Sequence, residues 1–210
     1  MANKPKLILA SASPRRRKLL LSIGVPFRVV PSRVEEIRRS RESPRRFVRR
    51  AAEEKGKEIS RLHPEAFVLS ADTVVVVEGR LLGKPADRRE AQRMLAMLAG
   101  REHHVHTAVC LLQDKRGYLD EEYVTTRVRF RSLTRGEIAA YVRTGECDDK
   151  AGAYAAQGSG NLLIERIDGS YTNVVGLPMT HALAMLRRAG LLSVSRSGSG
   201  WYRLAAGKPR

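Results

Sequence analysis

The chain opens on a strand, a tight polar loop and a helix, and that order constrains the fold more than any other feature of the sequence. Residues 6–10 form a short apolar run that reads as a strand, and Ser11-Ala12-Ser13 breaks it. Pro14 then suits the first position of a helix, where its missing N–H costs nothing. Leu19, Leu20 and Ile23 give that helix an apolar face, and Gly24 ends it. Residues 27–31 read as a second strand, residues 32–43 as a charged loop, and Ser43-Pro44 opens a helix with Phe47, Ala51, Ala52 and Ile59 inward.

Further on, residues 67–70 read as a strand and, after a break at Ala71-Asp72-Thr73, residues 74–77 as another apolar run with a hairpin turn at Gly79-Arg80. Asp87 with Glu90 makes a capping box ahead of Ala91, Met94, Leu95 and Leu98. Residues 103–113 and 118–131 read as long strands joined by a turn, Thr134 and Glu137 cap a further helix, residues 162–167 form a strand and residues 178–188 a closing helix. Strands mixed with helices, some hairpin-linked, predict an α/β or α+β fold on a mixed twisted sheet with flanking helices. We read residues 1–190 as one domain and residues 191–210 as a basic Ser/Gly/Arg-rich tail that frays past Gly190.

Composition narrows the classes. No apolar run approaches the roughly 18–20 residues of a membrane span, and two cysteines, Cys110 and Cys147, are too few for a disulfide scaffold. The expectation is a cytoplasmic protein without membrane partners. The net charge is +17, and residues 1–60 carry 17 basic against 6 acidic side chains. Such an excess predicts a polyanionic partner: nucleic acid, an anionic membrane or nucleotide phosphates.

Several constellations offer chemistry. The loop before the first helix places Ser11, Ser13, Arg15 and Arg16 beside free backbone N–H groups and the positive end of a helix dipole, a phosphate cradle. The bland reading is a capped helix with a solvated basic turn, although arginines are better placed at the C-terminal end of a helix. Asp72, set between apolar runs, is expensive unless paired, hydrated or metal-bound. It reads equally as a Mg²⁺ ligand or water-activating base and as an Asx-turn carboxylate. Gly83-Lys84-Pro85 is no Walker A loop, since the glycine spacing is one residue short and Pro85 replaces the metal-binding Ser/Thr. Lys84 there is a positioned phosphate ligand or a solvated turn lysine. Glu35 or Glu36 supplies a second carboxylate for a metal or neutralises the surface, and Lys55 lies on the inward side of its helix. His103, His104 and His106 lack a further zinc ligand at matching spacing. In the Gly-rich stretch 152–160, Gln157 offers donor and acceptor to a base edge; the alternative is a flexible connection.

Taken in order, Leu9-Ala10-Ser11-Ala12-Ser13-Pro14-Arg15-Arg16, Ala71-Asp72-Thr73-Val74-Val75, Gly83-Lys84-Pro85, Gly100-Arg101-Glu102-His103, Asp149-Lys150-Ala151-Gly152-Ala153-Tyr154 and Gly169-Ser170-Tyr171 with Val175-Gly176-Leu177-Pro178 resemble the Maf family. The resemblance implies two lobes around a nucleotide cleft, similar to the inosine triphosphatase fold. It also implies a pyrophosphatase that cuts a nucleoside triphosphate to monophosphate and pyrophosphate with Mg²⁺, or Mn²⁺ or Co²⁺. Gln157 within Gly-Ala-Tyr-Ala-Ala-Gln-Gly resembles the branch acting on dTTP and UTP, or on modified pyrimidine nucleotides, in housecleaning of the nucleotide pool. Some members are tied to inhibition of septum formation, and a homodimer is common.

Position by position, the resemblance implies that Asp72 is the proton acceptor and, with Glu36, a metal ligand. Arg15, Thr73 and Gln157 match positions linked to substrate choice, and Ser11, Arg16, Lys55 and Lys84 match positions around the phosphates. Two departures stand out: Gly56 follows Lys55 where the family usually has alanine, and Ser70 precedes Ala71 where glycine is common. The rivals are a basic nucleic-acid-binding protein and a division regulator acting by contact. Against the first, the chain has no aromatic-interleaved basic stripe for stacking, so nucleic acid is expected to bind weakly and without sequence preference.

Overall fold

The computed structural model describes residues 6–194 and 202–204. They contain β1 (Leu7–Leu9), α1 (Pro14–Leu21), β2 (Arg28–Val29), α2 (Pro44–Leu62), β3 (Phe67–Val77), β4 (Arg80–Leu82), α3 (Arg88–Leu98), β5 (Glu102–Gln113) and β6 (Tyr118–Phe130). There follow α4 (Arg135–Arg143), β7 (Ile164–Asp168), α5 (Tyr171–Val175), α6 (Met179–Arg188), β8 (Leu192–Val194) and β9 (Tyr202–Leu204). Seven strands make one mixed sheet in the order β2-β1-β3-β5-β6-β7, with β4 paired to β3. The β1 strand is parallel to both β2 and β3, whereas the β3–β4 and β6–β7 pairs are antiparallel. The chain divides into two compact units, one of residues 1–72, 108–123 and 176–210, the other of 73–107 and 124–175.

In the first unit, β1 is buried throughout, as a parallel strand covered on both faces requires. Its side chains alternate. Leu7 and Leu9 join Leu20 of α1, Leu69, Leu111, Leu177 and Met185 of α6 in one core, while Ile8 and Ala10 join Ile59 of α2 and Val68 in another. The register pairs Ile8 with Val68, so even-numbered residues at this end of β3 look toward α2. That alternation carries Ser70 and Asp72 to the α2 side without interruption. The break expected at residues 71–73 is therefore absent, and β3 runs unbroken through Asp72. Polar residues interrupt the apolar pattern there because they have partners on the helix, not because the strand stops.

The second unit packs Val75, Leu95, Leu98, Val105, Val128, Phe130 and Tyr154 into its own core. Its hairpin turns one residue earlier than expected: Val77 pairs with Arg80, and Glu78 and Gly79 take φ of 48° and 76°. Two positive φ values are what a two-residue turn matching the strand twist demands. Asp87 caps α3 by accepting from the Glu90 N–H, but the returning Glu90 carboxylate reaches the N–H of Ala86 instead of closing a box. The Thr134–Glu137 box is complete.

The tail differs from its reading as frayed. Leu192–Val194 pairs antiparallel with Tyr202–Leu204, because Leu191 and Leu192 are buried and belong to the first core. Residues 195–201 and 205–210 of that tail lie outside the described residues.

Candidate active site

In the first unit, the loop between β1 and α1 is organised by its own hydroxyls. Ser13 caps α1 by accepting from the Arg16 N–H, and Ser11 Oγ accepts from both the Ser13 N–H and the Arg16 guanidinium, at 3.2 and 3.3 Å. Arg16 Nε donates to the Gly176 carbonyl at 2.8 Å, which ties the first turn of α1 to the segment before α6. No acidic residue lies in that turn. Three arginines thus stand at the positive end of a helix, an arrangement that costs energy unless an anion offsets it.

Lys55 stands on the buried face of α2 one helical turn after Ala51 and Ala52. Its ammonium donates to Glu36 Oε1 at 2.5 Å and to Asp72 Oδ1 at 2.6 Å, with Asp72 only 3% exposed. The Asx-turn alternative for Asp72 therefore gives way to an ion pair between β3 and α2. Beside it, Ser70 Oγ donates to the Ala52 carbonyl at 2.7 Å. Glu36 comes from the charged loop before α2, which α2 itself anchors. Arg50 donates to the Ile37 carbonyl and binds both oxygens of Glu42, and Glu58 accepts from Ser32 Oγ and the Arg33 N–H.

Electrostatics joins these groups. Burial raises the Asp72 carboxyl above its usual range; the Lys55 ammonium pulls it down and the Glu36 charge adds to the rise. Burial lowers the Arg16 pKa, while Asp72 and Glu36 raise it and Arg15 lowers it again. Ser11, Arg15, Arg16, Glu36, Lys55 and Asp72 are therefore one electrostatic community on the first unit. A buried cation shared by two carboxylates contributes little net stability, because desolvation offsets the Coulomb gain. Perturbed, converging charges of this kind are the usual mark of a functional site.

The second unit carries Thr73, Lys84 and Gln157. The Thr73 hydroxyl lies 3.0 Å from that of Thr107. Lys84 is exposed beside Gly83, whose carbonyl accepts from the Gly152 N–H at 3.0 Å. Gly152 itself, at φ 70°, packs onto Val75 where a Cβ would come within 2.9 Å. Gln157 stands at the N-cap position of a 3-10 turn, Gly158–Leu163, and its side chain makes no capping bond. The Gly-rich stretch is a built structure and not a slack connection.

Gly176 and Asn173 escaped the sequence reading of roles. Gly176 offers its carbonyl to Arg16 from φ 116°, a backbone that favours glycine. Asn173, fully buried, donates to the Val105 carbonyl and to Thr126 Oγ1. Among the histidines, His103 is buried against Tyr154, with Nε2 2.9 Å from the hydroxyl, whereas His104 and His106 stack at 6.0 Å. Both cysteines are buried, and burial raises both thiols, Cys147 to about 11. Charge is divided unequally. The first unit carries 26 basic and 12 acidic side chains and the second 13 and 10, so the positive field that would draw a polyanion belongs mainly to the first.

Comparison with known proteins gives these residues a context. A family model described as Maf-like protein matches residues 6–189. A protein of Syntrophus aciditrophicus named dTTP/UTP pyrophosphatase is 48% identical over 190 residues, covering 90% of this chain and 93% of its own length. Proteins of the same name from Symbiobacterium thermophilum and Myxococcus xanthus are 50% and 47% identical. They cover 88% and 90% of this chain and 94% and 95% of their own lengths.

Proposed function

The chain belongs to the Maf family, and on that premise we propose that it hydrolyses dTTP and UTP to the nucleoside monophosphate and pyrophosphate. The observation that carries the reading is the Lys55 ammonium held between the Glu36 and Asp72 carboxylates, with Arg16 coupled to both. Two carboxylates that converge on one cation suit a divalent ion that takes one or two protein carboxylates and completes its shell with substrate phosphates and water. Glu36 and Asp72 would hold that ion, Mg²⁺ or in its place Mn²⁺ or Co²⁺. Bound there it supplies neutralisation of phosphate charge.

The remaining work falls to the chain's own groups. Asp72 orients the attacking water and takes its proton, a task that a carboxyl raised by burial performs better than an ordinary one. Arg15, Arg16, Lys55 and Lys84 stabilise charge on the phosphate oxygens, which is the main demand of phosphoryl transfer. Ser11 holds the Arg16 guanidinium in place. Gln157 reads the pyrimidine edge, with Thr73 contributing to the choice of substrate. A cytoplasmic homodimer goes with this reading, and light scattering on the purified protein tests the dimer.

Product analysis tests the reaction. With Mg²⁺ and separate dTTP, UTP, CTP, ATP and GTP, the expected products are monophosphate and pyrophosphate, chiefly from dTTP and UTP. Asp72→Asn keeps the shape and should lower turnover by about 10²–10⁴-fold. Release of diphosphate and inorganic phosphate, or an Asp72→Asn enzyme of near wild-type turnover, refutes the assignment.

A further inference from the structure

Gln157 occupies a position whose ordinary occupant would spend its side chain on the backbone. It is the N-cap of the 3-10 turn Gly158–Leu163, where the Ser159 N–H has no carbonyl to meet within the turn and the Gly160 N–H meets only that of Gln157. A polar side chain at the N-cap commonly folds over to accept from those N–H groups. Here both are already taken. Glu146, in the turn that follows α4, accepts from the Ser159 N–H through Oε1 and from the Gly160 N–H through Oε2, each at 3.2 Å. Burial pushes the Glu146 carboxyl up, but its bonds to Ser159 and Gly160 hold it below the usual range, so the cap is ionised and charge-assisted.

The fit around this cap is close. Gly158 has φ 69°, and a Cβ there would come within 2.9 Å of Glu146 Oε1. At Gly160 a Cβ would come within 2.2 Å of the Ala155 carbonyl oxygen and 2.8 Å of the Tyr141 hydroxyl. That hydroxyl accepts from the Ala155 N–H at 3.0 Å. The segment on either side of Gln157 is thus fastened to α4 and to the turn after it. Its side-chain amide, meanwhile, finds no hydrogen-bond partner among the described residues.

We propose that Glu146 is a specificity-positioning residue: by capping the turn from a distance it releases the Gln157 amide and aims it at the pyrimidine base. The inference rests on the reading of Gln157 as the base-recognising side chain. Without Glu146, the Ser159 N–H loses its acceptor and the Gly160 N–H loses one of two, and the Gln157 amide oxygen stands at the N-cap of the same turn to replace it. The side chain then turns inward and no longer discriminates between bases.

The test compares kcat/KM for dTTP, UTP and CTP in the wild type, Glu146→Ala, Glu146→Gln, Gln157→Ala and the double variant. Both substrates of a ratio are measured on one preparation, so partial misfolding cancels. Glu146→Ala should lower the dTTP-to-CTP ratio by about tenfold, the worth of one well-made hydrogen bond. Glu146→Gln keeps one acceptor and should fall between. On the Gln157→Ala background, Glu146→Ala should leave the ratio unchanged, since it acts through a side chain already removed. A Glu146→Ala enzyme that loses activity on all three nucleotides equally, or whose effect adds to that of Gln157→Ala, overturns the inference. If Gln157→Ala shifts the ratio and Glu146→Ala does not, the positioning role alone fails. If Gln157→Ala leaves the ratio untouched, base reading by Gln157 fails and the positioning role with it.

Discussion

Gly56→Ala is the most informative single change outside the charged groups, because it asks why α2 lies where it does. In an exposed helix the substitution would stabilise by roughly 1 kcal/mol through propensity. Gly56 is instead buried against the sheet, and a Cβ there would lie 2.2 Å from Leu112 Cδ1 and 2.7 Å from Ser70 Oγ. Leu112 can yield by a rotamer shift costing about 0.5–1.5 kcal/mol. Ser70 Oγ cannot move without giving up its buried bond to the Ala52 carbonyl, a further loss of about 1–3 kcal/mol. The costs exceed the propensity gain, and Gly56→Ala should destabilise by about 1–3 kcal/mol. Ser70→Gly alone removes a hydroxyl and places glycine in a strand, which costs about 1 kcal/mol. In the double variant the new methyl group enters the space that the hydroxymethyl left. The double should therefore be more stable than the sum of the singles by about 1 kcal/mol or more. Urea unfolding of the four proteins measures the cycle. Effects that add within about 0.5 kcal/mol would refute it, and would mean that the two departures from the family's usual residues, glycine for alanine and serine for glycine, arose independently and do not compensate each other.

Two further predictions use protonation. Asp72 must be ionised to accept a proton, so kcat/KM should fall as pH drops through its raised pKa, and Lys55→Met, which removes a charge that lowers it, should move that acid limb upward. A limb that stays put or moves down contradicts the placement of Lys55. Burial holds His103 at about 4 against an ordinary 6.5. Between those values the unfolded chain binds a proton that the folded chain refuses, so stability is complete above pH 6.5 and falls toward pH 4 by about 3 kcal/mol. Denaturant unfolding at pH 7 and pH 4 should show this loss in the wild type and a smaller one in His103→Gln; equal losses would clear His103 of the effect.

The candidate site was legible in the sequence wherever its parts are local, and hidden wherever they meet by way of the sheet. The Ser11–Arg16 loop could be read because strand, hydroxyls, proline and arginines are consecutive, and the structure holds them as a capped helix start. Asp72 was legible as a carboxylate in an apolar setting but not as a mid-strand residue. Alternation over Val68, Ser70 and Asp72 looks like an interruption until α2 supplies the Ala52 carbonyl and Lys55 to meet the last two. Short segments set by tertiary contacts, such as α5 with its buried Asn173, carry too little periodicity to announce themselves.

The same distinction explains why Gln157 could be singled out and Glu146 could not. Gln157 stands in a Gly-rich stretch whose composition draws notice, whereas Glu146 lies among ordinary polar residues at the end of a helix. Nothing in sequence spacing says that a carboxylate there will cap a turn beginning at Gly158. Yet the consequence is local and chemical: a cap supplied from elsewhere leaves the N-cap side chain without a backbone duty. An unspent amide in a fixed segment is the kind of group a binding site needs, since its backbone is already ordered and its donors and acceptor are unclaimed. What the sequence offers as a candidate, the packing turns into an available hydrogen-bonding edge.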